Sequence, residues 1–298
     1  MQFCFKGRIG FTMMKEAKIE IYIEKYDQFK SLIESDLAGK DYVNLCIIDY
    51  NLLDSLSDED LRLFKDGNFC LALPYVSRRN SPVAFDRALK LVNDGIFQSI
   101  MVRNPEELGY FSLLNEPVSL ISDAGLYAFN KRAVETLFKS VSEVTLPVEL
   151  NKGERLGLIE SLDNSHKGGL CVIAYGRIPM MLSANCIYKT TDICDGKGNN
   201  DNYGVLTDRL GNKFPVIRHC DECMNIIYNC LPLSIHKDLY RYKDCMLRLN
   251  FTVESGKDML LILGKFTDLL LGNADDISAD LEKILGGYTT GHEKRGVE

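Results

Sequence analysis

The most suggestive chemistry in this 298-residue chain is a concentration of cysteines, because six of the ten lie between residues 186 and 245. Cys220 and Cys223 form a C-x-x-C pair, and seven residues separate Cys186 from Cys194. Thiolates are preferred ligands of Zn²⁺ and of iron–sulfur clusters, so these four cysteines are predicted metal ligands. Their spacing differs from that of a zinc ribbon, in which both pairs are tight. Irregular loops between the ligands favour a cluster, with zinc as the alternative.

The other cysteines have a simpler explanation, because cysteine is often only a small buried hydrophobic residue. Cys46, Cys70 and Cys171 each lie within a predicted strand and are expected to fill the core. A redox role for the C-x-x-C pair is open, but no thioredoxin-like context surrounds it.

The elements that must position these groups are eight short β-branched runs, which alternate with amphipathic stretches. The runs cover residues 18–24, 42–49, 68–74, 98–102, 117–122, 144–150, 169–175 and 246–253. Alternating β and α elements imply parallel pairing, and eight units favour a TIM-like (β/α)8 barrel. A doubly wound open sheet is the alternative. The chain has no Gly-x-Gly-x-x-Gly after its first run and no P-loop, which disfavours nucleotide-binding versions.

The rhythm is interrupted by an insertion at about 176–245, after the seventh predicted strand. This insertion carries the cysteines and is partly β-hairpin, since two short strands flank the Gly-containing segment 208–212. We expect one barrel domain over 1–298, with a loose tail at 286–298.

In a (β/α)8 barrel, residues at the carboxyl ends of the strands face the active site. Glu149 is the candidate general acid or base, with Tyr175 and Arg177 beside it as further catalytic candidates. Four more residues are candidates for binding a substrate, the arginines through bidentate contact with a carboxylate or phosphate. They are Arg103, Asp123, Arg218 and Arg248. The alternative is that strand-end charges pair with one another.

Composition and motifs exclude several classes of protein. Hydrophobic residues make up 46% of the chain and charged residues 26%, which excludes wholesale disorder, collagen-like repeats and a coiled coil. The net charge of −7 does not suggest a nucleic-acid binder, although a local basic groove stays open. Neither a signal peptide nor a transmembrane run is visible, so a cytoplasmic, reducing location is expected.

Peptidase motifs are also missing. The four histidines form no His-Glu-x-x-His pattern, and there is no Gly-x-Ser-x-Gly. A thiolate activated by a neighbouring histidine stays open, because His219 adjoins Cys220.

Several segments resemble the collagenase-like peptidase family, peptidase U32. The resemblance is specific from about residue 117 to 272, and the chain looks like the part of a longer family member that carries the cysteine motif. The segments that carry it are 123–130, 148–151, 175–186, 206–216 followed by Cys220, 229–234 and 248–254.

This resemblance implies a TIM-like barrel with a cysteine insertion. Members of the family were first labelled peptidases, and better understood relatives look like iron–sulfur proteins of oxygen-independent hydroxylation. Their substrates are RNA or a quinone precursor, and four cysteines hold a [4Fe–4S] cluster. Cys186, Cys194 and Cys220 match three of these ligands. The fourth would fall near Pro179, where this chain has no cysteine, so Cys223 is the candidate to complete the set. RNA or a small molecule is the implied partner, with a peptide as the alternative.

Overall fold

The computed structural model describes residues 18–35, 37–65, 67–78, 80–114, 118–194 and 203–294. Within these ranges there are thirteen strands and ten α-helices. The strands are β1 (Ile19–Ile23), β2 (Val43–Asp49), β3 (Phe69–Ala72), β4 (Ser99–Val102), β5 (Leu120–Ser122), β6 (Glu143–Thr145), β7 (Leu170–Gly176), β8 (Pro179–Ser183), β9 (Tyr203–Thr207), β10 (Lys213–His219), β11 (Met224–Tyr228), β12 (Leu233–Ser234) and β13 (Met246–Phe251). The helices are α1 (Tyr26–Glu34), α2 (Asp58–Arg62), α3 (Ser81–Asn93), α4 (Pro105–Ser112), α5 (Lys131–Leu137), α6 (Lys152–Ser161), α7 (Asn164–Lys167), α8 (Ile187–Thr190), α9 (Gly256–Leu270) and α10 (Ser278–Leu285).

Eight parallel strands close into a barrel in the order β1-β2-β3-β4-β5-β6-β7-β13, and β13 pairs back to β1. The predicted (β/α)8 barrel is therefore confirmed, and the open sheet is excluded by the pairing that closes the ring. Each of the eight predicted runs overlaps one of these strands, and β6 and β7 extend one residue beyond their runs. No helix within the described residues combines the length and the apolar character needed to cross a bilayer.

Alternation along each strand divides its side chains between two environments. On β1, Ile19, Ile21 and Ile23 belong to the large apolar core that the helices share with the outside of the barrel. Glu20 and Tyr22 alternate with them and lie inside the barrel, where they contact side chains of distant strands. The inside of this barrel is therefore rich in polar and charged groups, and its apolar core lies mainly between strands and helices.

Short polar side chains begin many of the helices just after the strands end. The Asn104, Asn130, Asn151 and Ser255 side chains each accept a hydrogen bond from the first turn of the helix that follows. Such N-caps satisfy backbone N–H groups that have no partner within the helix. They fix the starts of the helices that follow β4, β5, β6 and β13, and the carboxyl ends of the strands form the barrel mouth.

The insertion after β7 forms a second, antiparallel sheet in the order β8-β11-β10-β9, here called the cover sheet. The predicted hairpin is β9 and β10, which pair from Tyr203–Ile217 at the open end to Thr207–Lys213 at the turn. Asp208 closes the turn by accepting hydrogen bonds from the backbone N–H groups of Leu210 and Asn212. The chain then returns to the barrel through β12, which pairs antiparallel with β7.

The expectation of a loose tail does not hold for residues 286–294. Thr289 forms a β-bridge with Leu233, and the Glu293 carboxylate accepts from Arg155 at 2.7 Å and from the Tyr242 hydroxyl at 2.8 Å. Glu293 is only 4% exposed. The sequence around Glu293 consists largely of glycine and polar residues and has no periodicity that would predict an ordered element. The buried ion pair with Arg155 holds Glu293 in place. Residues 295–298 lie outside the described ranges.

We predict that Glu293→Ala lowers the free energy of unfolding by about 3 kcal/mol, because it leaves the buried Arg155 guanidinium without its carboxylate partner. Urea unfolding followed by circular dichroism measures the change. Glu282→Ala, at an exposed position of α10, is the matched control and should change stability by less than about 0.5 kcal/mol. Equal effects of the two substitutions would contradict a structural role for the tail.

Candidate functional site at the barrel mouth

The cover sheet lies over the barrel mouth and is fastened to it at several points. The Tyr228 hydroxyl lies 2.8 Å from Glu24 at the end of β1, and Arg78 donates to the Glu222 carbonyl at 2.7 Å. Arg177 donates to the carbonyls of Asn229 and Cys230 at 2.9 and 2.5 Å. These contacts join the loops of the barrel to the turns of the cover sheet, so the cover sheet is held over the mouth.

Two cavities remain between the mouth and the cover sheet, and His219 lines both. The first, about 550 Å³ and here called the Glu24 cavity, is lined in part by Glu24, Asp49 and Arg218. The second, about 410 Å³, is lined in part by Tyr75. Each is large enough for a small molecule or part of a polymer.

Arg103 organises the floor of the mouth. Its guanidinium lies 3.0 Å from Asp49 and 3.3 Å from Asp123, and it stacks over the Tyr75 ring with 3.9 Å between the guanidinium carbon and the ring centroid. Burial by itself would raise the pKa of Asp49. The charges of Arg103 and His219 and the hydrogen bonds from Tyr22 and Asn51 together outweigh burial, and the pKa is lowered. Two of the four predicted substrate-binding residues, Arg103 and Asp123, are thus paired with each other within the mouth.

Arg248 lies deeper, inside the barrel, and is 1% exposed. It contacts Glu20 at 3.0 Å, Asp123 at 3.0 Å, Glu143 at 3.3 Å and the Thr145 hydroxyl at 2.6 Å. Burial and the neighbouring Glu20 hold the pKa of Glu143 well above its usual value. The structure directs the donors of Arg248 at the barrel wall, and we assign it to holding the strands together.

Glu20, Glu143 and Cys171 place ligand atoms within 4.8 Å of one another, so this buried group could hold a metal ion. Arg248 already lies against two of the three, at 3.0 Å from Glu20 and 3.3 Å from Glu143. A guanidinium supplies the positive charge that an ion would bring, and a second cation would meet its repulsion. The group therefore works as an ion-pair centre of the barrel interior in this structure.

Glu24 lines the Glu24 cavity and forms no salt bridge among the described residues. Its Oε1 atom lies 2.7 Å from the Tyr22 hydroxyl and 2.8 Å from the Tyr228 hydroxyl, and Oε2 is shielded from solvent. Burial, with a smaller contribution from the negative charge of Asp49, raises its pKa to about 8. A carboxyl that stays protonated near neutral pH in a cavity is a recurrent feature of catalytic sites.

The three predicted catalytic residues do not gather around one point. Tyr175 donates to Glu254 at 2.9 Å, and Arg177 lies 3.9 Å from the same carboxylate while it holds the cover sheet. Burial raises the pKa of Tyr175 well above its usual value. Glu149 is half-buried in the turn after β6, and none of the hydrogen bonds among the described residues joins its side chain to Tyr175 or Arg177.

Arg218, the remaining predicted substrate-binding residue, is buried and lines the Glu24 cavity. Its guanidinium stacks on the ring of Tyr188, 3.6 Å from the centroid. This contact ties β10 of the cover sheet to α8, the helix that Cys186 precedes. The position of Arg218 is compatible with an anionic group in the cavity, and its role stays a prediction.

Pairing within the cover sheet brings three of the four predicted ligands to one end of it. Cys220 and Cys223 flank the turn between β10 and β11, while Cys186 follows β8, whose Ser183 pairs with Asn225 of β11. Asn225 also donates to the Asn185 carbonyl at 2.8 Å. Cys194 lies beyond α8 and is exposed. The donor set therefore suits a thiophilic metal in its chemistry and in the convergence of its elements.

The distances distinguish two kinds of metal site. Tetrahedral zinc needs thiolate sulfurs about 3.8 Å apart, given a Zn–S bond of about 2.3 Å. Among the described residues, no three of these sulfurs come within 4.8 Å of one another, so a preassembled zinc site is absent there. A [4Fe–4S] cluster separates its ligands by its own width and is not subject to that limit. Cys46, Cys70 and Cys171 are buried, as predicted for core cysteines.

Sequence reasoning missed the residues that line the barrel interior and the Glu24 side of the mouth. They are Glu20, Tyr22, Glu24, Tyr75, Glu143 and Tyr228. The signal was present in 18–24, where charged and aromatic residues alternate with isoleucine. Alternation predicts a strand whose two faces differ, and in this barrel the polar face of β1 is the one that faces inward.

No family model and no curated protein matches the chain. Among solved structures, the chain is similar to the U32 peptidase Mk0906, with 8% sequence identity and a TM-score of 0.45 over 86% of this chain and 98% of that chain. It is also similar to the YdjI aldolase from Escherichia coli K12, with 8% identity and a TM-score of 0.40 over 93% of each chain. The first of these two structures bears the name of the family that segments of the sequence resemble. The barrel itself rests on the strand order described above.

We predict that Arg248→Met destabilises the protein by about 3 to 5 kcal/mol, because it leaves buried carboxyl groups without their cation. Urea unfolding measures the loss. The control is Arg241→Met, at a side chain that is 41% exposed and pairs with Asp238, for which we expect less than about 1 kcal/mol. A loss as small as that of the control would refute the assignment of Arg248 to the barrel framework.

A second prediction concerns pH. Because the folded-state pKa of Glu24 is raised to about 8, the folded protein binds more protons than the unfolded chain between that value and the ordinary glutamate pKa. This group's contribution to stability therefore falls as pH rises through that window. Glu24→Gln removes this dependence, so the variant should gain stability relative to the wild type between pH 5 and pH 8 in thermal melts. Glu59→Gln, at an exposed position of α2, should show no such trend.

Proposed function

We propose that this protein is a barrel enzyme that modifies a substrate bound between its mouth and the cover sheet, with an iron–sulfur cluster held by Cys186, Cys194, Cys220 and Cys223. One observation carries the proposal. The C-x-x-C turn directly follows His219, the residue that lines both cavities of the mouth. Thiolate ligands there would place a metal centre at the edge of the substrate space.

The chemistry of the residues supports this assignment. Cysteine thiolates are the usual ligands of such clusters, and the bound cluster would supply one-electron chemistry beside the substrate. The chain's own residues supply the rest of the site. Arg103 holds Asp49 and Asp123 in place, Arg218 offers a cation to the Glu24 cavity, and the cover sheet limits access of water.

We further propose that the substrate is RNA or a related metabolite, modified by oxygen-independent hydroxylation in the cytoplasm, where thiols stay reduced. Arg218, Lys25 and His219 border the Glu24 cavity and suit a phosphate or carboxylate of such a substrate. Peptide hydrolysis is the competing activity. Since no hydrolase motif occurs in the sequence, a hydrolytic centre would have to be built from the mouth residues alone.

The test is metal and sulfide analysis after anaerobic purification. We expect a brown protein that contains iron and acid-labile sulfide in equal amounts, and loss of both in Cys186→Ala. The matched control is Cys230→Ala, because Cys230 lies in the same insertion, is half-buried and is not a predicted ligand. It should retain the colour and the iron.

Two outcomes would contradict the proposal. A colourless protein with one bound zinc would indicate a structural metal site instead of a cluster. Hydrolysis of casein or gelatin that survives chelators and the cysteine substitutions would indicate a peptidase. Both measurements use the full chain.

A further inference from the structure

The hydroxyl of Tyr22 lies between two carboxyl groups. The Tyr22 oxygen is 2.6 Å from Asp49 Oδ2 and 2.7 Å from Glu24 Oε1. A tyrosine hydroxyl carries one proton and can donate only one of these bonds. Two short oxygen–oxygen contacts need two protons, so the second proton must lie on one of the carboxyl groups.

The surroundings identify which carboxyl carries that proton. Asp49 accepts from Arg103 at 3.0 Å, from the Asn51 backbone N–H at 2.9 Å and from the Asn51 side chain at 2.7 Å. These donors stabilise an ionised carboxylate, and the proton of Tyr22 is directed to it. Within the described residues Glu24 forms no ion pair, and its neighbours at Oε1 are two tyrosines. The second proton therefore lies on Glu24.

We infer that Glu24 is a general acid of the Glu24 cavity, kept in its neutral form by the Tyr22–Asp49 contact, and that it protonates a substrate oxygen or nitrogen that gains negative charge. In this step the hydrogen bond between Glu24 Oε1 and Tyr22 opens, the O–H bond of Glu24 breaks and a new bond to hydrogen forms on the substrate atom. The electron pair stays on the Glu24 carboxylate, which Tyr228 then stabilises as a hydrogen-bond donor. Solvent restores the proton after the product leaves. The assignment deepens the proposed function, on which its role in turnover rests.

Glu24 is half-buried and borders the space in which such a role would operate. It lines the cavity wall, and no donor among the described residues reaches its Oε2 atom. A carboxyl serving only to hold the fold would be expected to have both oxygens satisfied, as Asp49 has. Oε2 is thus a polar atom without a protein partner, in a residue at the wall of a cavity that a substrate group could enter.

Groups from several strands face this carboxyl and set its titration. Burial is the largest influence and raises the pKa of Glu24, and the charge of Asp49 raises it further. Tyr22, Tyr228 and Arg103 act in the opposite direction. Tyr75 from the loop after β3 and His219 from β10 complete the set, the first facing Tyr22 and the second Asp49. The opposite shifts of Glu24 and Asp49 give one carboxyl the role of acid and the other the role of its fixed partner.

The first test is titration of the side-chain carboxyl carbons of the full chain by NMR after labelling of glutamate, with Glu24→Gln to assign the signal. The expected inflection is at a pH of about 8. Asp49→Asn removes the negative charge and frees the Tyr22 proton for Glu24, so the inflection should move down. Tyr228→Phe removes only a donor to Glu24, so the inflection should stay or move up. An ordinary glutamate pKa in the wild type would overturn the inference.

The second test asks whether the proton can be transferred to a molecule in the cavity. A small diazoacetamide takes the proton of a carboxylic acid and forms the ester with loss of nitrogen, whereas it leaves carboxylates unmodified. We expect mass spectrometry to find the label on Glu24 at pH 7, about tenfold less at pH 9, and none in Glu24→Gln. The exposed Glu59 is the internal control and should stay unlabelled at both values.

A Glu24 that titrates at high pH but takes no label would be a buried structural acid, and the inference would be wrong. Neither test needs a cluster or a known substrate. Failure of the iron and sulfide analysis would therefore contradict the proposed function while leaving the acid assigned, and failure of the titration would do the reverse.

Discussion

Two buried guanidinium groups and the carboxyl groups that surround them determine how this barrel can close. Arg248 joins β1, β6 and β13 with the residue that follows β5, and Arg103 joins the ends of β2 and β5. Asp123 is shared by both arginines. Burying such charges is unfavourable unless each is paired, so the strands must be arranged in a way that pairs all of them. The continuous ion network runs from the barrel interior to the floor of the mouth.

The mouth inherits its properties from this network. Because Arg103 pairs with Asp49, the Asp49 carboxylate can accept a hydrogen bond from the Tyr22 hydroxyl. Glu24 then keeps its own proton. The cover sheet completes the arrangement, since Tyr228 reaches Glu24 from above and Arg218 and His219 border the same space. Framework and proposed chemistry are therefore coupled: a change in the buried ion pairs would alter the protonation of the cavity.

The cysteines form two groups, one within the barrel framework and one in the insertion that carries the predicted metal ligands. Those within the barrel strands are buried, and burial raises the pKa of Cys46 and of Cys70 to about 12, so they remain neutral thiols. Three cysteines of the insertion, Cys186, Cys220 and Cys223, lie at one end of the cover sheet, where pairing of β8, β10 and β11 brings distant parts of the chain together. Metal binding at these thiols would hold that end of the cover sheet in place. The shape of the Glu24 cavity would then depend on the metal.

The sequence by itself determined the eight βα units, the insertion with its hairpin, and the burial of the strand cysteines, because each depends on local periodicity or composition. It placed Arg103 and Asp123 at strand ends for the same reason. Only the tertiary structure decided that Glu20, Tyr22 and Glu24 face inward and that Arg248 is surrounded by partners on the barrel wall. It also decided that Glu293, a residue of the tail, pairs with Arg155. Alternation along a strand shows that its two faces differ, but closure of the barrel decides which face is inside. The partners that set the charge of each group come from strands far apart in the chain.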